Sequence, residues 1–181
     1  MKYTRGMESL QYPIGKFILD KEPTAEKRRG WLRDIADLPV NVKHAVDGLT
    51  NAQLDTPYRD GGWTVRQVVH HLADSHMNSF IRLKLALTED KPTITPYDQG
   101  AWAELPDVIG VDVALSLVLL EGLHGRWTLL LRSLQPMDYD RVFLHPENGP
   151  TTVDRAVQIY AWHSRHHVAH ITSLRERQGW R

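Results

Sequence analysis

Four long segments of this chain carry apolar side chains at helical spacing, with little strand pattern between them. They cover residues 25–49, 65–87, 113–134 and 154–178. Each has a single apolar stripe, which must be buried against another element. Pro39 interrupts the first segment, so we expect there one kinked helix or two abutting pieces. The four segments together predict an all-α fold, a four-helix bundle with long connecting loops.

The ends of these helices are marked by capping residues. Thr64 followed by Gln67 is a capping box at the start of the second helix. Asp112 can cap the third helix, and Thr151 is expected to begin the fourth. Gly179 then closes the fourth helix, since glycine readily takes the left-handed conformation that ends many helices.

The connecting segments predict one domain over residues 1–181, preceded by an arm. Residues 1–22 contain proline and glycine and are interpreted as an extended N-terminal arm. Residues 90–111 form a long proline-containing loop, and loops of this length are often functional, as lids or partner contacts. The connection at 141–153 has space for a short hairpin around residues 147–149.

Composition excludes several classes of function. The chain has 22 Lys+Arg, 22 Asp+Glu and no cysteine. Disulfides, thiolate metal sites and cysteine nucleophiles are therefore excluded. A chain without net charge has no global field to attract nucleic acid, and the basic tail RERQGWR is too short to supply one. The start shows no signal peptide, and the apolar stretch ALSLVLL is far shorter than the ~18 residues of a membrane span. We therefore expect a cytoplasmic protein that binds neither nucleic acid nor membrane.

Two histidines lie in the buried stripe of the fourth helix. At about 100° per residue, seven side chains fall within about 40° of one line. They are Val153, Ala156, Tyr160, His163, His167, Ile171 and Leu174. Histidines one turn apart suit a single metal ion, although core histidines with hydrogen-bond partners are the alternative. Ser164 stands where the zinc peptidase motif HExxH has its catalytic glutamate, so that peptidase class is disfavoured.

A third ligand must come from another helix, and the second helix offers three histidines. The apolar line of that helix includes His76, while His71 lies on its flank. His70 shares the outward side with Asp74, which is typical of a solvated pair. A catalytic metal needs substrate access and favours a ligand at the border of the core. The pattern alone leaves His71 and His76 open.

The motifs GWTVRQVVHHLADS, LHGRWTLLLRSL, AWHSRHHVAHI and RERQGW, with YPIG near the start, resemble the DinB-like proteins. The resemblance is closest to their YfiT subgroup and covers nearly the whole chain. That pattern has a histidine just before a leucine on the second helix and His-x-x-x-His on the fourth. Carried over, the resemblance assigns the metal ligands to His71, His163 and His167.

The resemblance implies a homodimer with one divalent metal ion, Zn or Ni, in each subunit. It implies a metal-dependent hydrolase in which the three-histidine site activates water for attack on a small-molecule substrate. One alternative is a metal-dependent transferase of a low-molecular-weight thiol such as bacillithiol or mycothiol, with Arg82 or Arg126 as candidates to bind the thiol's carboxylates. Another is a dimeric binding protein with a structural metal. Asp74 and Glu121 are candidates for a general base.

Overall fold

The computed structural model describes residues 9–180. Its four long helices are α1 (Ala25–Val46), α3 (Val65–Thr88), α5 (Ala114–Ser133) and α6 (Val153–Gln178). The shorter elements are α2 (Asn51–Leu54), α4 (Gln99–Trp102), a 3-10 helix (Pro136–Asp140), β1 (Val142–His145) and β2 (Gly149–Thr152).

The long helices form the four-helix bundle that the sequence predicts. Helix α1 packs against α5 and α6, and α3 packs against the same two helices. The pairs α1 with α3 and α5 with α6 are therefore diagonal in the bundle. Pro39 lies inside α1, so the first segment forms one helix through the proline and not two pieces.

The core of the bundle consists of two apolar clusters. One contains Leu72 of α3, Leu120 of α5 and Ile171 of α6. The other contains Phe80 of α3 and Trp127 of α5, together with the first turns of α6. On each of these three helices, buried or half-buried histidines lie in sequence between the residues of one cluster and those of the other. The fold thus places a layer of imidazoles between two apolar layers.

The predicted ends of the four long helices agree with the structure to within one residue, except that α1 ends at Val46 and not at residue 49. The capping box of Thr64 and Gln67 is present at the start of α3. Thr152, not Thr151, caps α6, and its hydroxyl accepts from the backbone N–H of Arg155 at 3.1 Å. Gly179 ends α6 with a left-handed φ of 66°. Asp112 accepts from the backbone of the first turn of α5, as expected.

The long loop is fastened at both ends. Near its start, Ile94 N–H donates to the carbonyl of Leu144 in β1 at 3.0 Å, and Leu144 N–H donates to Pro92 at 2.8 Å. Near its end, Gln67 of α3 donates to the carbonyl of Ala103 at 3.0 Å. Strands β1 and β2 form the expected antiparallel hairpin. Residues 95–102 therefore connect the hairpin to the helical bundle.

The described part of the N-terminal arm follows α6. The carbonyl of Gln11 lies 3.0 Å from Nε2 of His170, and Trp162 Nε1–H donates to Gly15 at 3.1 Å. Asp20 N–H donates to the side chain of Gln158 at 2.9 Å. Residues 1–8 of the arm lie outside the described residues. The assignment of residues 1–181 to one domain stays a prediction.

Within residues 9–180, one helix has the length and composition that could span a membrane. This is α5, whose most apolar window has a mean hydropathy of 1.2. Of this window, 28% is buried, and α5 packs on α1 and α3 in the bundle. The predicted cytoplasmic location stays a prediction.

Candidate metal centre

The structure brings together three imidazoles from two helices. His163 and His167 lie one turn apart on α6, and His71 lies in the second turn of α3. The Nε2 atom of His163 is 3.3 Å from Nε2 of His71 and 3.1 Å from Nε2 of His167. One ring nitrogen from each of the three residues lies within 4.8 Å of those of the other two. These are the three histidines that the family pattern predicts.

The spacing of these nitrogens fits one metal ion. Zinc binds histidine nitrogen at about 2.0–2.1 Å, so two ligands at a tetrahedral angle lie roughly 3.3 Å apart. The two Nε2 separations of 3.3 and 3.1 Å are close to this value. Imidazole nitrogens are also suitable ligands for nickel. The three-histidine group therefore indicates a divalent metal ion.

Burial keeps these imidazoles neutral and able to bind a cation. Burial and, to a smaller extent, the nearby His170 lower the pKa of His71 to about 4. Burial also holds the pKa of His163 and that of His167 well below the usual histidine value, with the neighbouring imidazoles as a further cause. A neutral imidazole has a free lone pair on one nitrogen, which is the form that binds metal.

A backbone carbonyl fixes which nitrogen of His167 carries its proton. The carbonyl of Gln11 only accepts, so the Nε2 atom of His170, at 3.0 Å, must donate to it. Nδ1 of His170 then accepts from Nδ1–H of His167 at 3.3 Å. This leaves the lone pair of His167 on Nε2, the atom that faces His163. His170 therefore orients this candidate ligand nitrogen.

A second histidine group overlaps the first. Ring nitrogens of His166, His167 and His170 also lie within 4.8 Å of one another. In this group, however, both ring nitrogens of His170 already face hydrogen-bond partners, Gln11 and His167. The first group has its three Nε2 atoms facing one another and is the better candidate for the metal.

The structure shows whether His71 or His76 lies with His163 and His167, a choice that the helical pattern leaves open. His76 is fully buried and lies on the other side of His163, with its Nε2 3.0 Å from Nδ1 of His163. His71 lies with its ring 4.6 Å from that of Trp63, on the side of the three Nε2 atoms. His71 therefore completes the group, and His76 contacts it from behind.

The expected outward position of His70 is wrong. His70 is buried, with Nδ1 2.8 Å from the hydroxyl of Ser116 and Nε2 3.3 Å from the carbonyl of Val111. The helical pattern could not show this, because Val111 and Ser116 come from a distant part of the chain. Asp74 is half-buried, and burial with the nearby Asp107 raises its pKa to about 6.

Two clefts give access to the centre. One, of about 330 Å³, is lined by His71, His163 and His167 together with residues of the arm and of the loop before α3. The other, of about 620 Å³, is lined by His163 and by residues of the long loop and the hairpin. Gln99 of α4 and His163 line both clefts. The long loop thus forms part of the wall of the site.

The larger cleft contains both expected and unexpected polar groups. Arg82 lines it, as expected, whereas Arg126 lies over Phe80 and lines neither cleft. Tyr160 donates to the carbonyl of Ser75 at 3.2 Å beside His163, and burial raises the pKa of Tyr97 to about 12. The helical pattern assigns Tyr160 to the stripe but does not identify Tyr97, since loop residues have no periodicity.

Neither candidate general base lines the two clefts. Glu121 lies in a groove between α1 and α5, among residues of those two helices only. Asp74 lies one residue before Ser75, which lines the larger cleft, but its own side chain is not among the lining groups. The carboxylates that do line the larger cleft are Asp98 and Glu147.

Comparisons with known proteins show similarity to one family over most of the chain. The sequence profile of the DinB superfamily matches residues 35–171. A Bacillus mycoides protein, provisionally named a metal-dependent hydrolase, is 57% identical over 175 residues, which are 96% of this chain and 100% of that protein. YfiT of Bacillus subtilis, with the same provisional name, is 53% identical over 173 residues, 95% of this chain and 97% of YfiT.

A solved structure of Bacillus subtilis YfiT is also similar. It superposes with a TM-score of 0.93 at 52% identity and covers 96% of this chain and 99% of the YfiT chain. That structure is described as a probable metal-dependent hydrolase with an unusual four-helix bundle topology. The similarity supports the four-helix bundle fold of this chain.

Proposed function

This chain belongs to the DinB superfamily, and we propose that it is a metal-dependent hydrolase whose metal ligands are His71, His163 and His167. We expect one Zn or Ni ion in each chain. The observation that carries the proposal is the meeting of three Nε2 atoms beside an open cleft. The provisional names of its relatives support the same class.

The chemistry follows from the three neutral ligands. A divalent ion held by imidazoles alone keeps its double charge, and can lower the pKa of water towards ~7 or polarise a carbonyl oxygen. The side chains around it position the substrate. Gln99 reaches both clefts, and the Tyr160 hydroxyl and Arg82 lie on the wall of the larger one. A substrate in the larger cleft therefore lies against His163.

The test is hydrolysis of a panel of esters and amides by zinc-loaded and nickel-loaded protein, with no added thiol. Cleavage should be lost in His71→Ala and kept in His44→Ala, which changes an exposed histidine on α1. Equal activity in both variants would contradict the proposal, since it would place the reaction elsewhere.

Thiol transfer is the second candidate, and Arg82 is the observation that favours it. Its guanidinium lines the same cleft as His163, where it can bind a carboxylate of a small thiol. The chain has no cysteine, so the thiol must be supplied. In this case the panel is inert until bacillithiol or a similar thiol is added with an electrophile, which is then consumed. That result would replace hydrolysis by transfer.

We also propose that the protein is a homodimer through the outward face of α5. Three large apolar side chains there are more than two-thirds exposed, namely Leu115, Val118 and Leu129. Val118 also lines a groove between α1 and α5, together with Val40, Lys43 and Glu121. In a two-fold pair, the lysine of one copy can meet the glutamate of the other.

Val118→Glu should convert the dimer into a monomer, as measured by light scattering after size-exclusion chromatography. Met137→Glu is the matched control, because Met137 is equally exposed but lies on the 3-10 helix. A wild-type monomer, or a Val118→Glu variant that stays dimeric, would contradict this interface.

A further inference from the structure

Behind the three-histidine group, three buried rings have polar atoms without a hydrogen-bond partner among the described residues. They are Nδ1 of His76, Nε2 of His124 and Nε1 of Trp127. All three side chains are at most 2% exposed. The ring of His76 is 4.9 Å from that of His124 and 5.7 Å from that of Trp127, and the last two are 5.6 Å apart. Buried polar groups are nearly always satisfied, so three in contact require an explanation.

Whether Nδ1 of His76 donates or accepts follows from the metal centre. When His163 binds the metal through Nε2, the atom that faces His71 and His167, the proton of its neutral ring is on Nδ1. That N–H donates to Nε2 of His76 at 3.0 Å. His76 must then carry its own proton on Nδ1. The unpartnered atom of His76 is therefore a donor.

Whether Nε2 of His124 donates or accepts follows from the partner of the other nitrogen of its ring. Nδ1 of His124 lies 2.6 Å from the backbone carbonyl of Ile35 on α1. A carbonyl only accepts, so His124 carries its proton on Nδ1 and has a lone pair on Nε2. The unpartnered atom of His124 is an acceptor. The indole N–H of Trp127 can only donate.

Two donors and one acceptor on adjacent rings match the hydrogen-bonding capacity of one water molecule. We propose that His76, His124 and Trp127 bind an internal water, which accepts from His76 and Trp127 and donates to His124. Buried waters make about three such bonds to otherwise unsatisfied groups. The result is a continuous relay from the Ile35 carbonyl through His124, the water and His76 to His163.

The relay has a role at the metal centre, and this part of the proposal rests on the proposed function. The water can accept from Nδ1–H of His76 while it donates to His124, and so it supports the tautomer of His163 whose lone pair is on Nε2; on the other ligand, His170 supports His167 directly. His76 and His124 are therefore positioning residues. Outer partners of metal-binding histidines orient the ring, and their loss typically weakens metal binding 10–100-fold.

The first test uses the full-length protein with and without zinc. In the zinc-loaded form, ¹⁵N NMR of the imidazoles should show the proton on Nδ1 in His163 and His76, and His124 should carry it on Nδ1 in both forms. Water should give cross-peaks to Hδ1 of His76 and Hε1 of Trp127. A proton on Nε2 of His76 or His163 would overturn the relay, and missing water cross-peaks would overturn the water site. The water cross-peak to Hε1 of Trp127 is expected also without zinc, so the water site is tested independently of the proposed function.

The second test compares variants of His124 in zinc titrations. His124→Leu should weaken zinc binding about tenfold. His124→Gln should restore most of the affinity, because its amide can donate to the Ile35 carbonyl and accept from the water. Equal weakening in both variants, with both folded by circular dichroism, would show a packing role only and overturn the positioning role. A wild-type protein that shows the water cross-peak to Trp127 but binds no zinc would contradict the proposed function and leave the water site intact.

Discussion

At the scale of single residues, the chemistry of the site depends on which ring nitrogen of each histidine carries the proton. The backbone carbonyl of Gln11 starts a hydrogen-bond chain that ends at His167, and with the proposed water the carbonyl of Ile35 starts one that ends at His163. In the tautomers that bind metal, each ring has its free lone pair on Nε2, and these two nitrogens are 3.1 Å apart. Lone pairs at this distance repel one another unless a cation lies between them. This arrangement of lone pairs therefore favours the binding of a metal ion.

His170→Phe should weaken zinc binding about tenfold, because the ligand His167 loses the acceptor for its Nδ1–H. The substituted ring keeps the stacking on Tyr58, whose centroid is 3.9 Å from that of His170, so packing changes little. The measurement is competition with a chromophoric chelator. His44→Phe, on the exposed side of α1, should bind zinc like the wild type. An unchanged affinity in His170→Phe would contradict the positioning role.

At the scale of the elements, the sequence predicts the four helices and their caps well, because periodicity and capping are local. The same pattern places His163 and His167 in the buried stripe. It fails where a distant segment covers a helix. Gln158 lies opposite the apolar stripe of α6, yet it is buried because Asp20 of the arm bonds to it. His70 is buried because the start of α5 covers it.

Thr64→Ala should lower the free energy of unfolding by about 1 kcal/mol, since the helix that carries His71 loses its N-cap. The Thr64 hydroxyl accepts from the backbone N–H of Gln67 at 3.1 Å. Thr64→Ser keeps this bond and should be close to the wild type. Urea unfolding of the metal-free proteins is the measurement. Equal losses in the two variants would show that the cap is not the cause.

At the scale of the whole molecule, a histidine layer inside an apolar core makes stability depend on pH. Burial lowers the pKa of His71, His124 and His170 to about 4, from 6.5. Between these values the unfolded chain binds protons that the folded chain excludes. The free energy of unfolding of the metal-free protein should therefore fall as the pH falls from about 6.5 to about 4.

Each such histidine contributes up to about 1.4 kcal/mol per pH unit within this window. Asp74 acts in the opposite direction, because its pKa is raised to about 6 and the folded state takes up its proton first. One carboxyl offsets only one histidine. Urea unfolding at several pH values in the presence of a chelator is the measurement, and a stability that is flat between pH 6.5 and 4 would contradict a buried neutral layer.

The central claim is that three imidazoles bind one metal ion, and metal content measured by native mass spectrometry tests it most directly. After loading with zinc or nickel and removal of the excess, the wild type and His44→Ala should each carry one ion per chain. His71→Ala and the double variant His163→Ala/His167→Ala should carry none. Full loading of either variant, or a wild-type chain that retains no metal, would contradict the account.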